Sequence, residues 1–495
     1  MTSPQPAPPR AGPFRNRWCN VMTAKKIAGT ALLVIAALYT AATVVSVVQH
    51  SHFIDDDYEN FYLILHNSFW DYIFILNDDQ CVPLHRIFTY VIYALLPLNF
   101  PFAVAVLLLL HLLAVGYLYR ILRLLGDSDV NGVLLFLYAT NVFLFVPLLW
   151  WSSGVHRFLY VLLATISIYY YLKYRLASDR RYLLVSFAAC GAAFFVYSKA
   201  TLIPFYLLGL DVCLMRRVPQ PQGVKRFRVL APFFGASLLH LIWYRANIPN
   251  AFSPSGWDLR HITEFITQSF NFLGEGLFTV VYNGENTPLN ALIGVCCLGF
   301  FVYSMARARA NILIWLVGLG AIGLNFLLIA TSPRNVFGLG SVLTHRYYFE
   351  LVFLVVIFLK LILDNLSVGQ ALSWFPKPVQ IVLQSQRFHL ALIVVYASLS
   401  FFNSQVLMGT PRYARHNQVK AYMENLSTSV ARLKANPPEN LAFVDGNVPE
   451  YITGFKWKMR PYRMFLQLFK INAAYGVLTE NLYTITETGE IERVR

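Results

Sequence analysis

A chain of 495 residues that is 57% hydrophobic, 16% aromatic and only 13% charged is far more apolar than a soluble domain, where about 25% of residues carry charge. That composition excludes an ordinary soluble enzyme and a disordered chain, and six cysteines over this length exclude a disulfide scaffold. A net charge of +15 would suit nucleic acid, but the positions of the Lys and Arg residues indicate a polytopic membrane protein with no nucleic-acid partner.

Residues 1–26 read as a disordered tail rich in Pro and Arg, ending in Lys25 and Lys26 just before the apolar run 27–48. No small-x-small cleavage site follows, so the run reads as an uncleaved anchor with the N-terminus cytoplasmic. A hydrocarbon core of about 30 Å needs roughly 20 apolar residues as a helix. About eleven runs meet this need: 27–48, 100–124, 132–151, 156–174, 182–198, 200–215, 229–245, 288–305, 311–330, 348–364 and 389–408. Only Ser198 and Lys199 separate the fifth from the sixth, which could also form one kinked segment. The cytoplasmic segments then hold 21 Lys and Arg residues against 7 in the short outer loops, so the basic excess sets topology in a multi-pass inner (plasma) membrane protein.

The first outer loop, 49–86, is the most anionic stretch of the chain. It holds 7 of the 25 acidic residues: Asp55, Asp56, Asp57, Glu59, Asp71, Asp78 and Asp79. Aromatics recur between them at helical spacing, as at Phe61, Leu65 and Phe69, which predicts two amphipathic helices lying in the membrane interface. A carboxylate at the bilayer surface among other carboxylates has its proton affinity raised, which suits Asp55, Asp56 or Asp57 to take a proton from a hydroxyl nucleophile. The competing reading is a solvated acidic cap at the end of a span. The second pair, Asp78 and Asp79, stands just before His85 and Arg86 and favours function. Such pairs can also hold a divalent cation, Mg2+ or Mn2+, through oxygen ligands.

The outer basic residues of the later loops are few: Arg157 beside His156, Lys199, Arg245, Arg260, Arg334 and Arg346. A cation at membrane level pairs with an acid, marks a ligand path or snorkels to the interface, and Arg forks onto phosphate oxygens. Arg346 is the preferred phosphate ligand, because Gly338, Gly340 and His345 share its loop. The tail 409–495 has mixed composition with turn signals at NPPEN and VDGNVPE, which predicts a small outer α+β domain. No CxxC pair, HExxH, P-loop or tandem repeat occurs. An aromatic-lined cavity with carboxylates from the first loop and cations from later loops suits a lipid-linked phosphosugar: cations on the leaving phosphate and a carboxylate for the acceptor.

FIDDDYENFY at 53–62, directly after the first span, resembles the Asp-Asp or Asp-Glu motif of the GT-C superfamily of membrane glycosyltransferases, which includes protein O-mannosyl, aminoarabinose and arabinofuranosyl transferases. NDDQCVPLHR, YSKATLIP and GSVLTHRYYFE resemble later polar segments of the same superfamily, and the resemblance covers 27–408, chiefly by layout. It implies a helical membrane domain with about eleven spans, interfacial helices in the first outer loop and a polyprenyl-phosphate-linked sugar donor. It further implies a base among Asp55, Asp56 and Asp57, and donor-phosphate contacts from Arg346, Arg334, Lys199, His345 and Arg86. Asp78, Asp79, His85 and Arg157 are expected on the acceptor side or in other loop contacts. The acceptor would be a hydroxyl of a glycan, lipid or protein on the periplasmic or extracellular face. Two other readings stand beside this one: a transporter or flippase whose acidic loop gates a path, and a non-catalytic subunit of an envelope-polysaccharide complex.

Overall fold

The computed structural model describes residues 13–76, 81–128, 130–214, 226–247, 258–278, 288–332, 339–366, 376–377, 385–454, 460–477 and 479–494. Among these, seven helical stretches are long and apolar enough to cross a bilayer: Thr30–His50, Phe100–Leu125, Val130–Leu149, Trp151–Ala177, Arg228–Asn247, Ala310–Ala330 and Leu390–Gly409. They coincide with seven of the eleven runs expected from the sequence. Leucines and valines such as Leu33, Leu38, Leu112, Leu316, Leu392 and Val395 point outward, which only a lipid solvent tolerates on this scale.

The other four runs are helical but differ in kind. Residues 182–215 form two helices shorter than the candidate spans, and Asp211 near the end of the second pairs with Arg175 just before the first, so the chain turns back on itself at the joint. Helix Arg180–Phe194 ends, a 3-10 turn covers Ser198–Leu202, and helix Ile203–Leu214 resumes. Pro204 falls in the first turn of the resumed helix, where a missing amide proton costs nothing, and the break delivers Lys199 to the interior. The run 288–305 lies in helix Pro288–Arg307, of which Ala291–Arg307 is a shorter apolar helix. The run 348–364 lies in helix Arg346–Asp364, which carries Arg346, Glu350, Lys360 and Asp364 and is buried on nearly every face. Too polar to face lipid, it packs instead against helices Ala310–Ala330, Val130–Ala139, Phe100–Leu125 and Trp151–Ala177 at the centre of the bundle.

Local sequence fixes the helix ends. Asn99 accepts from the amide of Phe102 with Pro101 in the first turn, Asp179 accepts from the amide of Arg181, and Asp258 accepts from that of Arg260. Each side-chain oxygen satisfies an amide that the helix leaves unpaired.

Three helices, rather than two, follow the first span: Asp56–His66, Phe69–Phe74 and Pro83–Leu95. Trp70 and Phe74 are exposed, as befits aromatic side chains at a membrane interface. Asp78 and Asp79 lie outside the described residues. At the other end of the chain, helix Gln386–Gly409 passes through the single extended residue Thr410 into helix Pro411–Ala435. Four short strands follow, β1 (Ala442–Phe443), β2 (Ala474–Tyr475), β3 (Leu482–Ile485) and β4 (Ile491–Arg493), in the order β2-β1-β3-β4. β1 runs parallel to β2 and β3, and β4 pairs antiparallel with β3. This small helix-and-sheet unit sits at the end of the bundle where the acidic loop lies, for Phe465 meets Tyr58 edge to face and Gln467 bonds His66.

Candidate functional site

The three aspartates stand at one turn and face three different surroundings. Asp55 has φ 48° and ψ −116°, a backbone conformation that costs energy outside glycine. Its amide donates to the carbonyl of Ile452 at 3.0 Å. Its carboxylate takes both terminal nitrogens of Arg415, at 2.5 and 3.4 Å. Asp57 is fully buried and accepts three hydrogen bonds: from the amide of Ile54 at 3.1 Å, and from the amide and hydroxyl of Ser152 at 2.7 and 2.5 Å. Burial pushes its carboxyl up to about 7, against the pull of those donors and with a smaller upward push from Asp56. Asp56, between them, is only half-buried, in the first turn of helix Asp56–His66.

Ser152 belongs to the segment 150–157, the start of helix Trp151–Ala177, and this segment joins the acidic loop to the later cations. Arg157 donates from Nε to the carbonyl of Arg346 at 2.8 Å and from a terminal nitrogen to the carbonyl and hydroxyl of Ser153 at 2.7 and 2.9 Å. Its guanidinium lies between the rings of Tyr197 and Tyr347. Arg346 places its own guanidinium 4.3 Å from the ring centre of Trp150, a cation–π geometry. No carboxylate pairs with it among the described residues. Lys199, by contrast, is ion-paired with Glu350, both buried. His345 packs against Phe272, Phe143 and Tyr413, and Tyr413 brings the wall round to Arg415.

The expected residues therefore converge in part. Asp55, Asp56, Asp57, Arg157, Lys199, His345 and Arg346 fall within one network of contacts at one end of the bundle. Arg86 and His85 lie behind it. Arg86 is buried, donates to the side-chain oxygen of Asn60 at 3.1 Å and rests over Tyr72, while Asn60 in turn donates to Ser152. His85 stacks on His156 with ring centres 4.0 Å apart and planes 5° from parallel. Burial holds His85 far below its usual range, at about 3, with Arg86 adding to the effect. Arg334 lies outside the described residues, as do Asp78 and Asp79.

Sequence reasoning missed Trp150, Ser152, Glu350, Arg415 and His416. Glu350 alone carried a signal, as an acid within the apolar stretch RYYFELVFL, since an intramembrane acid demands a partner. His416 accepts from or donates to Ser51 at 2.8 Å, and Ser51 donates to the carbonyl of Leu149 at 3.0 Å. Residues 51, 149 and 416 thus close the ring of contacts on a second side. Among the described residues no group of three or more His, Cys, Asp or Glu side chains is arranged to hold a metal ion. The oxygens of Asp55 and Asp57 accept from Arg415, Ile54 and Ser152, and the second acidic pair of the expected cation site, Asp78 and Asp79, lies outside the described residues.

No protein-family model matches the chain, and no curated protein matches it. Among solved structures the chain is similar to ArnT from Cupriavidus metallidurans bound to undecaprenyl phosphate, at 13% identity and a TM-score of 0.48, over 90% of this chain and 89% of that one. It is also similar to the archaeal oligosaccharyltransferase AglB from Archaeoglobus fulgidus in complex with an inhibitory peptide and a dolichol-phosphate. There the identity is 14% and the TM-score 0.42, over 89% of this chain and 64% of AglB.

Proposed function

We propose that this protein is a membrane glycosyltransferase that moves a sugar from a polyprenyl-phosphate-linked donor to a hydroxyl of a glycan, lipid or protein acceptor. One observation carries the reading. Asp56 stands partly exposed between two carboxylates that are fully engaged, on the end of the bundle that also presents Arg346 without a carboxylate partner among the described residues. A base and an anion-binding cation joined through the one segment 150–157 are the two groups that transfer from a phosphate ester needs.

In the proposed step Asp56 takes the proton of the acceptor hydroxyl as its oxygen attacks the anomeric carbon. The bond from that carbon to the phosphate oxygen breaks, and the electron pair leaves on the phosphate, whose charge Arg346 receives. Displacement with a single base inverts the anomeric centre. Asp55 and Asp57 position Asp56. Lys199, Arg157 and His345 shape the donor side, and Arg334 is assigned there with them. Arg86 and His85 support the acidic loop from behind, and Asp78 and Asp79 are assigned to the acceptor side. We further propose about eleven crossings, adding helices Arg180–Phe194, Ile203–Leu214, Pro288–Arg307 and Arg346–Asp364 to the seven. The basic asymmetry of the loops supports a cytoplasmic N-terminus, with the site and the unit 411–494 on the outer face.

The test is turnover of a panel of polyprenyl-phosphate sugars by the full chain in lipid nanodiscs, wild type beside Asp56→Asn. Transfer by the wild type and its loss in a folded Asp56→Asn variant is the expected result, because the amide keeps the shape but accepts no proton. Failure of every donor with folded protein and crude acceptors overturns the proposal.

A further inference from the structure

We infer that the start of helix Pro411–Ala435 is part of the active site, with Arg415 a positioning residue that clamps Asp55 beside the proposed base Asp56. The inference rests on the transferase reading above and adds to it a role for the C-terminal unit.

Asp55 is held by three groups, all from that unit. Arg415 grips both carboxylate oxygens, and the carbonyl of Ile452 takes the amide. Gly454, at φ +58°, packs so closely that a Cβ there would fall 2.5 Å from Oδ1 of Asp55. A non-glycine residue in so unfavourable a backbone conformation persists only where its surroundings over-determine it, and here the surroundings lie some 360 residues away in sequence. His416, next to Arg415, adds the bond to Ser51 on the other side of the turn.

The electrostatic consequence is direct. Consecutive α-carbons lie about 3.8 Å apart, so an uncompensated Asp55 would press a like charge on Asp56 and make it a weaker acid. Arg415 cancels that charge. The other titratable groups around the pair are His52, Asp57, Tyr58 and Glu59 on the same segment. Lys420 and Tyr422 face it from the C-terminal helix, along with His416, and Glu450 stands on the turn that bears Ile452. All of these keep their own charges when Arg415 alone is changed.

The experiment is the pH profile of kcat/KM for the full chain in nanodiscs, with whichever polyprenyl-phosphate sugar the wild type turns over. Arg415→Gln should lower kcat on the order of 100-fold by misplacing the turn, with donor KM little changed. The same variant should move the acid limb upward by about one pH unit. Arg415→Lys should restore most of the limb position, and the pair Asp55→Asn with Arg415→Gln should return it to the wild-type value. Asp55→Asn alone leaves Arg415 uncompensated. It should lower kcat on the same order as Arg415→Gln, the clamp being broken in both, yet move the limb downward, which keeps the test decisive should Arg415→Gln fail to fold. A wild type that turns over no donor defeats the transferase reading itself. An active wild type with an unmoved limb in Arg415→Gln, or a limb that does not fall in Asp55→Asn, overturns this inference alone.

Discussion

Asp57 and Ser152, 95 residues apart, form a complete cap: one carboxylate oxygen takes both the amide and the hydroxyl of the serine. The aspartate thereby anchors the acidic loop to the N-terminus of helix Trp151–Ala177, where the helix dipole favours a negative charge. Burial opposes that charge more strongly, so the carboxyl titrates at about 7 in the folded chain against about 3.9 in an unfolded one. Between these two values the folded state holds a proton that the unfolded state has released. Stability therefore falls as pH rises through that window and is flat beyond it, by a total on the order of 4 kcal/mol. Thermal unfolding of wild type and Asp57→Asn from about pH 4 to about pH 8 checks this. The wild type should lose ground to the variant as pH rises, and a constant gap between the two would contradict the assignment.

Arg346 lies over Trp150 with no carboxylate partner among the described residues. Charge-assisted hydrogen bonds contribute about 1.5–3 kcal/mol, so Arg346→Ala should raise the donor KM roughly ten- to a hundredfold through loss of the phosphate contact. Arg346→Lys should recover only part of this, since an ammonium has neither the fork nor the planar face that stacks on Trp150. Steady-state donor titration is the measurement, and a KM within a factor of about two of wild type in the alanine variant would remove Arg346 from the phosphate.

The Lys199 and Glu350 pair is buried on both sides. Removing one partner leaves an uncompensated charge in the interior and should cost about 3–5 kcal/mol, whereas replacing both by apolar side chains of similar volume should be close to neutral. A double-mutant cycle of Lys199→Met and Glu350→Leu, read by unfolding temperature in nanodiscs, separates these cases. Additive losses would show that the two charges do not depend on each other. Recovery of stability without recovery of turnover in the double variant would assign Lys199 to the donor as well.

Much of the bundle is legible in the sequence because the physics is local. A run of about 20 apolar residues has one way to satisfy its backbone in lipid, and seven runs read this way recur as helices of matching bounds. Helix Arg346–Asp364 escapes the same logic, because its place at the centre depends on helices around it that no window of sequence contains. The aspartate trio shows the limit most sharply. Composition makes the turn conspicuous, but the division of labour among Asp55, Asp56 and Asp57 depends on Arg415 and Ser152, contributed by distant segments. Hydropathy likewise marks residues 182–215 as apolar, whereas the break that brings Lys199 to Glu350 takes its meaning from a partner 151 residues away.

The joint at Thr410 has a mechanical meaning. One extended residue couples the apolar helix Gln386–Gly409 to the polar helix Pro411–Ala435, and Arg415 lies little more than a turn beyond it. A single residue of backbone therefore separates a helix whose outward Leu392, Val395 and Phe402 suit lipid from the helix whose guanidinium grips Asp55.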